Sequence, residues 1–283
     1  MAGLSFDDLR GRTCAITGGA GVIGASVVQA LAAAGIKTAV LDIAREAADK
    51  LAAEASKASG TKVIGVQADV LKRESLLAAK AEVNKALGPI QILINAAGGN
   101  SPKATTKDEF VTKANAGDPS ATLFGLDIEG FRRVFDLNFL GTLLPTMVLA
   151  DDMVKAGTGV ILNISSMNSF RPLTKIPAYS AAKASINNFT QWLAVHLAKV
   201  NVRVNAVAPG FFLTQQNRFL LTDEKTGKLT ARGEKIITGT PMGRFGEPEE
   251  LNGTILFLLS DVSKFVTGVV IPVDGGFSAY SGV

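Results

Sequence analysis

Residues 12–42 constrain the fold of this chain more than any other stretch. A short apolar strand (12–17) enters the glycine-rich sequence Gly-Gly-Ala-Gly-Val-Ile-Gly at 18–24, and a helical pattern follows it. A second apolar run (37–42) then ends in an acid. Glycines let the backbone approach a pyrophosphate closely, and the next helix presents free N–H groups to it. The order strand, turn, helix, strand, acid therefore predicts a nucleotide-binding unit.

Within this unit, the acid at the end of the second strand is Asp42. A carboxylate there can accept hydrogen bonds from both ribose hydroxyls, which favours NAD over NADP. Asp42 could instead cap the helix that begins near Arg45. The turn residues expected to contact the cofactor are Gly18, Gly21, Val22 and Ile23.

Further strands and helices alternate through the rest of the chain. Apolar runs at 62–68, 90–94, 160–164, 203–208 and 269–273 predict strands. Helical patterns separate them, including a long helix at about 128–155 and an apolar helix at 251–260. Such alternation is typical of a parallel sheet covered on both faces. With no linker or repeat in the sequence, we expect a single domain over 1–283.

Two strand ends add candidate cofactor contacts. The third strand leads into Asp69 and Val70, where the acid could hold an adenine amino group or cap the following helix. The fourth leads into Asn95, Ala96 and, two residues later, Gly98, and small residues there leave room for a flat cofactor.

The composition narrows the class of protein. Of 283 residues, 47% are apolar and 19% charged, which indicates a globular protein with a substantial core. The net charge of +4 suits an anionic ligand, but no dense Lys/Arg run indicates nucleic-acid binding. A single cysteine, Cys14, and a single histidine, His196, exclude an internal disulfide and give no metal-binding cluster. With neither a signal-like N-terminus nor a long uninterrupted apolar run, we expect a soluble cytoplasmic protein with no membrane partner.

Tyr179 and Lys183 are the most suggestive pair of side chains. They lie four residues apart in a stretch whose apolar residues recur at helical spacing, so they are expected on one helix face. A nearby ammonium favours the phenolate and lowers a tyrosine pKa from about 10 towards neutral pH. The strand at 160–164 ends in two serines, which could place a hydroxyl beside the phenol. Together these groups could bind a carbonyl oxygen and pass it a proton, although such a pair alone is more often an ordinary surface pair.

Two polar segments lack strong periodicity. Residues 100–126 are expected to form a partly helical rim, and residues 211–240 to form a flap over a pocket. Asn138 lies inside the long predicted helix, where asparagine is unfavourable, so it either bonds locally or projects into the site.

These motifs together resemble the short-chain dehydrogenase/reductase family. The resemblance covers essentially the whole chain and rests on the turn after Thr17, Asn95 to Gly98, Asn138, Ser166, Tyr179 to Lys183, and Pro209-Gly210 with Thr214. It implies an α/β fold, a single doubly wound Rossmann-type domain of about seven parallel strands with helices on both faces. Val22 departs from the family's common branch, which has glycine at that position.

The resemblance also implies roles for individual residues. Tyr179 would be the acid/base, Ser166 would hold the substrate oxygen, Lys183 would lower the tyrosine pKa and bind the nicotinamide ribose, and Asn138 would hold a water in the proton path. Pro209, Gly210 and Thr214 would hold the carboxamide end of the cofactor. Most members are tetramers or dimers, and we expect a homotetramer.

A narrower resemblance concerns the substrate. Within the family, the chain is similar to the short-chain-type D-mannonate oxidoreductases, also called fructuronate reductases, at residues 138–146, 164–183, 209–212, 216–218 and 274–283. This implies reversible reduction of D-fructuronate to D-mannonate in hexuronate breakdown. A sugar acid needs a cationic or multi-donor partner for its carboxylate. The candidates are Arg171, Lys175 and Arg218 for the carboxylate, and Asn100, Asn168 and Gln215 for the hydroxyls.

Other functions remain open at this point. The enzyme could act on another sugar acid or a polyol, for example as a gluconate dehydrogenase. The chain could also bind a cofactor without catalysis, as a sensor or scaffold, although the intact Ser166, Tyr179 and Lys183 argue against that.

Overall fold

A single sheet of seven parallel strands forms the frame of the protein. The computed structural model describes residues 5–213, 221–223 and 226–282. In chain order the strands are β1 Thr13–Thr17, β2 Lys37–Asp42, β3 Val63–Gln67, β4 Ile92–Asn95, β5 Gly159–Ile164, β6 Val202–Pro209 and β7 Val270–Val273. Their order across the sheet is β3-β2-β1-β4-β5-β6-β7. The predicted doubly wound α/β fold is confirmed.

Helices connect the strands. Those in the described part of the chain are α1 Val22–Ala33, α2 Arg45–Ser59, α3 Arg73–Leu87, α4 Ile128–Phe135, α5 Gly141–Leu149, α6 Asp151–Ala156, α7 Pro177–Leu197, α8 Ala231–Thr238 and α9 Asn252–Leu259. A π-helical turn, Asp136–Leu140, joins α4 to α5.

Side chains of the central strands alternate between two apolar layers. On β1, Cys14 and Ile16 pack with residues of α1, α2 and α9, whereas Ala15 packs with residues of α3, α5, α6 and α7. Every residue of β1 is buried. A strand buried on both faces appears in the sequence as a continuous apolar run, which is why the strands were recognisable there.

The order of the strands reverses next to β1. The chain leaves β1 towards β2 on one side, and it returns after β3 to β4 on the other. Thr17 and Asn95 are paired at the ends of β1 and β4, where the two connections diverge. In open α/β sheets, ligands bind in the crevice outside such a switch point.

The long predicted helix is continuous from Ile128 to Ala156 and has the length and composition of a membrane span. Half of its most apolar window is buried inside the protein, however, and the core helix of a soluble protein meets the same criterion. This helix is therefore only weak evidence for a membrane protein.

Only one of the two polar segments differs from its predicted form, because a partly helical segment was expected for residues 100–126. Residues 100–126 contain three short 3-10 turns, Pro102–Ala104, Pro119–Ala121 and Leu123–Gly125. Within 211–240 the structure has the regular helix α8, which the sequence analysis did not predict. The Thr230 side chain caps α8 by accepting a hydrogen bond from the Gly233 N–H.

Candidate active site

A crevice of about 790 Å³ opens at the carboxyl ends of the strands. It is lined by residues from the β1–α1 turn and from the ends of β2 to β6. The predicted site residues among them are Gly18, Gly21, Val22, Ile23, Asp42, Asp69, Val70, Ala96, Gly98, Asn100, Ser166, Tyr179, Lys183, Pro209 and Gly210. The fold thus brings together residues that lie as much as 192 positions apart, from Gly18 to Gly210.

The β1–α1 turn forms one wall of the crevice. Gly18 has a φ of +62°, and a Cβ there would lie 2.7 Å from the Ala97 Cα, so only glycine fits between the two loops. Helix α1 starts at Val22, and its N-cap, Gly21, has no side chain to cap the first amides. The first three N–H groups of an α-helix have no intrahelical acceptor. They suit a pyrophosphate, and the valine at position 22 keeps its amide donor.

Thr17 fixes this wall to the loop after β4. Its Oγ1 accepts hydrogen bonds from the N–H groups of Ala96 (3.2 Å) and Ala97 (3.3 Å). Thr17 belongs to the motif recognised in the sequence, but no separate role was predicted for it.

Asp42 stands at the end of β2 with both carboxylate oxygens engaged by the backbone. The Ala20 N–H donates to one oxygen (3.2 Å) and the Ala44 N–H to the other (3.1 Å). The carboxylate therefore links the glycine-rich turn to the start of α2, whose N-cap, Ala44, makes no side-chain cap. Ile43 also lines the crevice and is 67% exposed. This residue was not predicted from the sequence. The only signal there was an apolar residue directly after the acid that ends β2.

Asp69 does not cap the following helix. Its Oδ1 accepts the Leu71 N–H (3.0 Å), but the N-cap of α3 is Lys72, which has no side-chain cap. Asp69 and Val70 both line the crevice. Of the two roles predicted for Asp69, a contact with adenine is therefore the one that agrees with its position.

Ser166, Tyr179 and Lys183 converge at the end of β5. Ser166 follows β5, and its hydroxyl lies close enough to that of Tyr179 on α7 to affect the tyrosine pKa. The Lys183 Nζ lies 5.6 Å from the Tyr179 ring centroid and donates to the Ile164 carbonyl at 2.8 Å. A hydroxyl, a phenol and an ammonium therefore face one point of the crevice.

The pKa values at this point differ from the sequence expectation. Burial raises the pKa of Tyr179, and the nearby Ser166 hydroxyl only partly offsets that rise. Burial also lowers the pKa of Lys183 from 10.5 to about 8. The expected net lowering of the tyrosine pKa by Lys183 is therefore wrong for the protein alone, because both groups are desolvated.

Asn138 lies within the π-helical turn and is fully buried. Its Nδ2 donates to the carbonyls of Gly99 and Val134 at 2.7 Å each, and its Oδ1 accepts the Gly99 N–H at 3.3 Å. Of the two expectations for this residue, local bonding is the one observed. The carboxamide fixes the loop after β4, and its role in a water path stays a prediction.

Asn95 is placed differently from the prediction. Its side chain is buried beneath the crevice, where Nδ2 donates to Thr146 Oγ1 and Asn163 Oδ1, both at 2.9 Å. It does not line the crevice because alternation along β4 points it into the helical layer. Its side chain is a structural support, and a direct cofactor contact is not supported.

The proposed carboxylate ligands also occupy other positions. Arg171 is exposed, lies outside the crevice lining and donates to the Tyr280 carbonyl (2.9 Å). The Lys175 Nζ donates to the Lys107 carbonyl (2.6 Å) and so ties its loop to the rim segment. Both cations are occupied by backbone carbonyls distant in sequence. Their assignment to the substrate carboxylate is therefore not supported.

The remaining predicted contacts are less direct. Asn100 lines the crevice and its Nδ2 donates to Thr105 Oγ1 (3.0 Å), while Asn168 is buried two residues after Ser166. Thr214, Gln215 and Arg218 fall outside the described residues. Among the residues that are described, no three His, Cys, Asp or Glu side chains group as metal ligands do.

The chain is similar to known oxidoreductases over nearly its whole length. The family model described as enoyl-(acyl carrier protein) reductase matches residues 18–278. An oxidoreductase of Bacillus subtilis, of uncharacterised activity, is 49% identical over 278 residues, which is 98% of each chain. A 2-dehydro-3-deoxy-D-gluconate 5-dehydrogenase of Formosa agariphila is 30% identical over 277 residues, 97% of this chain and 96% of that relative.

A solved structure of a protein from Haemophilus influenzae is also similar to this chain. It is 51% identical, covers 98% of each chain, and superimposes with a TM-score of 0.92. That protein has bound NAD and carries the provisional name D-mannonate oxidoreductase. The match to the family model, the seven-stranded parallel sheet and these relatives show that the chain belongs to the short-chain dehydrogenase/reductase family.

Proposed function

We propose that this protein is an NAD(H)-dependent oxidoreductase that interconverts D-fructuronate and D-mannonate in the cytoplasm, as part of hexuronate breakdown. The observation that carries the chemistry is the convergence of Ser166, Tyr179 and Lys183 in the same crevice as the glycine-rich turn. The substrate rests on the 51% identity to a protein named D-mannonate oxidoreductase, at almost full coverage of both chains.

The crevice fits a dinucleotide. The uncapped amides of α1 would hold the pyrophosphate, and Asp42 would accept the adenosine ribose hydroxyls. A 2′-phosphate would meet the Asp42 carboxylate, which favours NAD over NADP. Lys183 would bind the nicotinamide ribose, and Pro209 and Gly210 would border the carboxamide end.

The chain's own residues would move the proton. A nicotinamide held there would supply a hydride for reduction and would accept one in the reverse direction. Ser166 would donate a hydrogen bond to the ketone oxygen and orient it towards the Tyr179 hydroxyl, which gives up its proton. The raised pKa of Tyr179 keeps it protonated at neutral pH, as an acid must be. In oxidation the Lys183 ammonium would stabilise the phenolate that accepts the proton.

Turnover of D-fructuronate with each cofactor tests this proposal directly. We expect oxidation of NADH in the presence of D-fructuronate, formation of D-mannonate, and a higher kcat/KM with NADH than with NADPH. Reduction of other keto acids without measurable turnover of D-fructuronate would contradict the substrate but leave the chemistry standing. Failure to oxidise NADH across a panel of keto sugar acids would contradict the enzyme assignment itself.

A different sugar acid or a polyol is the second candidate substrate. A relative named 2-dehydro-3-deoxy-D-gluconate 5-dehydrogenase, 30% identical over nearly the whole chain, is an example of this substrate class among the relatives of the chain. The same panel separates the two candidates, because they differ in which keto acid gives the highest kcat/KM.

The proposed assembly is a homotetramer. Each subunit would be a single domain whose rim and flap segments cover the substrate. Two apolar surfaces support it. On α7, Trp192 is 56% and Val195 79% exposed, and Trp192 stacks on His196 with ring centroids 4.7 Å apart. At the other side, β7 is an edge strand and the nearby Phe265 is fully exposed. Light scattering should give four times the chain mass, and a monomer would contradict the assembly.

A further inference from the structure

The three groups that would carry the chemistry lie on two separate elements. Tyr179 and Lys183 belong to α7, whereas Ser166 precedes the short 3-10 turn Met167–Ser169 after β5. Apart from that turn, the chain between the serine and the tyrosine is irregular until α7 begins. Covalent connection alone therefore does not fix the serine hydroxyl relative to the phenol, and contacts between the loop and the helix have to do so.

Asn187 supplies such contacts at both ends of its side chain. It lies on α7, one helical turn after Lys183. Ser165 Oγ donates to Asn187 Oδ1 at 2.5 Å, and Asn187 Nδ2 donates to Ser169 Oγ at 2.8 Å. A carboxamide can accept at one end and donate at the other, which is what these two hydroxyls require. The two serines flank Ser166 in the sequence, so one side chain of α7 holds the loop on both sides of it.

The series of hydrogen bonds that starts at Asn187 ends on Ser166 itself. Ser169 Oγ donates to the Ser166 carbonyl at 2.5 Å, and the Ser169 N–H donates to the same carbonyl at 3.0 Å. Within the same turn, the Asn168 N–H donates to Ser166 Oγ at 3.2 Å. These bonds make the turn and the Ser166 hydroxyl one unit, so a shift of the turn relative to α7 moves the hydroxyl as well.

Two more hydrogen bonds hold this region to α7, and both act before Ser166. Lys183 Nζ donates to the last carbonyl of β5 at 2.8 Å, and Ser165 Oγ lies 3.3 Å from the Lys183 carbonyl. After Ser166, over residues 167–172, the hydrogen bond to α7 that the structure describes is the one from Asn187. Without this side chain, the turn would be fixed to the sheet at its start but no longer bonded to the helix that carries the phenol.

We propose that Asn187 is a positioning residue that holds the Ser166 hydroxyl beside the phenol of Tyr179. The inference rests on the proposed function and adds to it a side chain outside the crevice lining, which acts on the reaction only through Ser166. A displacement of about 1 Å in such an arrangement can cost about 100-fold in rate. Removal of the carboxamide should therefore lower kcat and leave the binding of NADH unchanged.

A double-mutant cycle tests whether Asn187 acts through the Ser166 hydroxyl. With D-fructuronate, Asn187→Ala should lower kcat about 10- to 100-fold, while the Kd for NADH, from fluorescence titration, stays within about twofold. Ser166→Ala should lower kcat about 100- to 1,000-fold. In the Ser166→Ala background, Asn187→Ala should change kcat less than about twofold, because the hydroxyl that it positions is gone. An equal fall in both backgrounds would show a merely structural role, and an unchanged kcat in Asn187→Ala would also overturn the inference.

Asn188→Ala is the matched control, since it removes the same type of side chain at the next position of α7. Asn188 is exposed, and its side chain makes no hydrogen bond in the described part of the chain. This variant should keep kcat within about twofold of the wild-type value, as expected for a surface substitution.

Hydrogen exchange at the Asn168 amide gives a readout that needs no substrate, because this N–H is bonded to Ser166 Oγ. In Asn187→Ala its exchange rate should rise at least about tenfold, and an unchanged rate would overturn the inference. If the wild type reduces another keto acid but not D-fructuronate, the proposed substrate is wrong, and the cycle is measured with that keto acid. If no keto acid is reduced, the enzyme assignment is wrong, and the exchange rate alone decides whether Asn187 holds the Ser166 hydroxyl in place.

Discussion

The Nζ of Lys183 lies 5.6 Å from the centre of the Tyr179 ring and is held there by the Ile164 carbonyl. The two side chains are one helical turn apart on α7, and both are desolvated. Burial disfavours the charged form of each, so it raises the tyrosine pKa and lowers the lysine pKa to about 8. The pair is thus poised with the proton on the phenol, which is the form needed to reduce a ketone.

Replacing Tyr179 by Phe removes the proposed acid while keeping the ring. We expect kcat to fall by at least about a thousandfold, since a positioned acid or base contributes 10²–10⁴-fold. Binding of NADH, followed by fluorescence titration, should survive. Tyr280→Phe is the matched control at the chain's other tyrosine, which holds Arg171 through its carbonyl and not its hydroxyl. Near-normal rates in the Tyr179 variant would end the proposed mechanism.

Lys183 should make stability depend on pH in a defined direction. Its pKa is about 8 in the folded protein and 10.5 as the ordinary value, so the unfolded chain binds more protons between these limits. Stability attributable to this lysine therefore rises as the pH increases from 8 towards 10.5, because folding favours the neutral amine. Relative to Lys183→Met, the wild type should gain about 2 kcal/mol in free energy of unfolding between pH 7 and pH 10. Urea denaturation at both pH values measures the difference. If the difference in free energy of unfolding between the two proteins is the same at pH 7 and pH 10, the lowered pKa of Lys183 is contradicted.

The order of strands and helices was predictable because each buried strand is a short apolar run bounded by glycine or a polar residue. Chemistry at the ends of β1, β2 and β5 was predictable for a related reason. Parallel strands present their carboxyl ends at one edge, so Gly18, Asp42 and Ser166 had to meet there. A residue that directly follows a predicted strand can therefore be placed at this edge from the sequence alone.

The rest depends on contacts that no local pattern encodes. Arg171 bonds to a carbonyl 109 residues away, and Asn95 turns into the core and not into the crevice. The pKa of Tyr179 moved opposite to the expected direction because burial, which only the folded chain sets, exceeded the effect of its neighbour. Helix α8 was not predicted because it is short and begins after a polar segment with little periodicity.

Asp42 should decide between NAD and NADP. Asp42→Ala removes the carboxylate that would bind the ribose hydroxyls and repel a 2′-phosphate. We expect kcat/KM with NADH to fall about tenfold or more, since hydrogen bonds to a charged group are worth about 1.5–3 kcal/mol. The ratio of kcat/KM with NADPH to kcat/KM with NADH should rise. Asp49→Ala is a suitable control, because Asp49 pairs with Arg45 on the surface of α2. An unchanged cofactor ratio in Asp42→Ala would mean that the discrimination arises elsewhere.

Gly98 is the position where the loop after β4 comes closest to the catalytic groups. A Cβ added there would lie 2.6 Å from Asn138 Oδ1 and 3.3 Å from Lys183 Nζ. Gly98 does not have a positive φ, so alanine would be unfavourable only through this crowding. Gly98→Ala must displace the Asn138 carboxamide or the lysine. We expect the free energy of unfolding to fall by about 1–3 kcal/mol and kcat to fall more than tenfold, both effects of overpacking.

The adjacent glycine provides a control at one residue's distance. A Cβ on Gly99 would meet only Leu137 Cδ2, at 3.9 Å, which is an ordinary contact. Gly99→Ala creates no clash, so its free energy of unfolding should stay within about 0.5 kcal/mol of the wild-type value. Its kcat should stay within about twofold of the wild-type value. Thermal unfolding and initial rates on the same preparations compare the two variants. Equal behaviour of the two would show that Asn138 and Lys183 tolerate a shift of the loop, and that the tight contact at Gly98 does not set the geometry of the site.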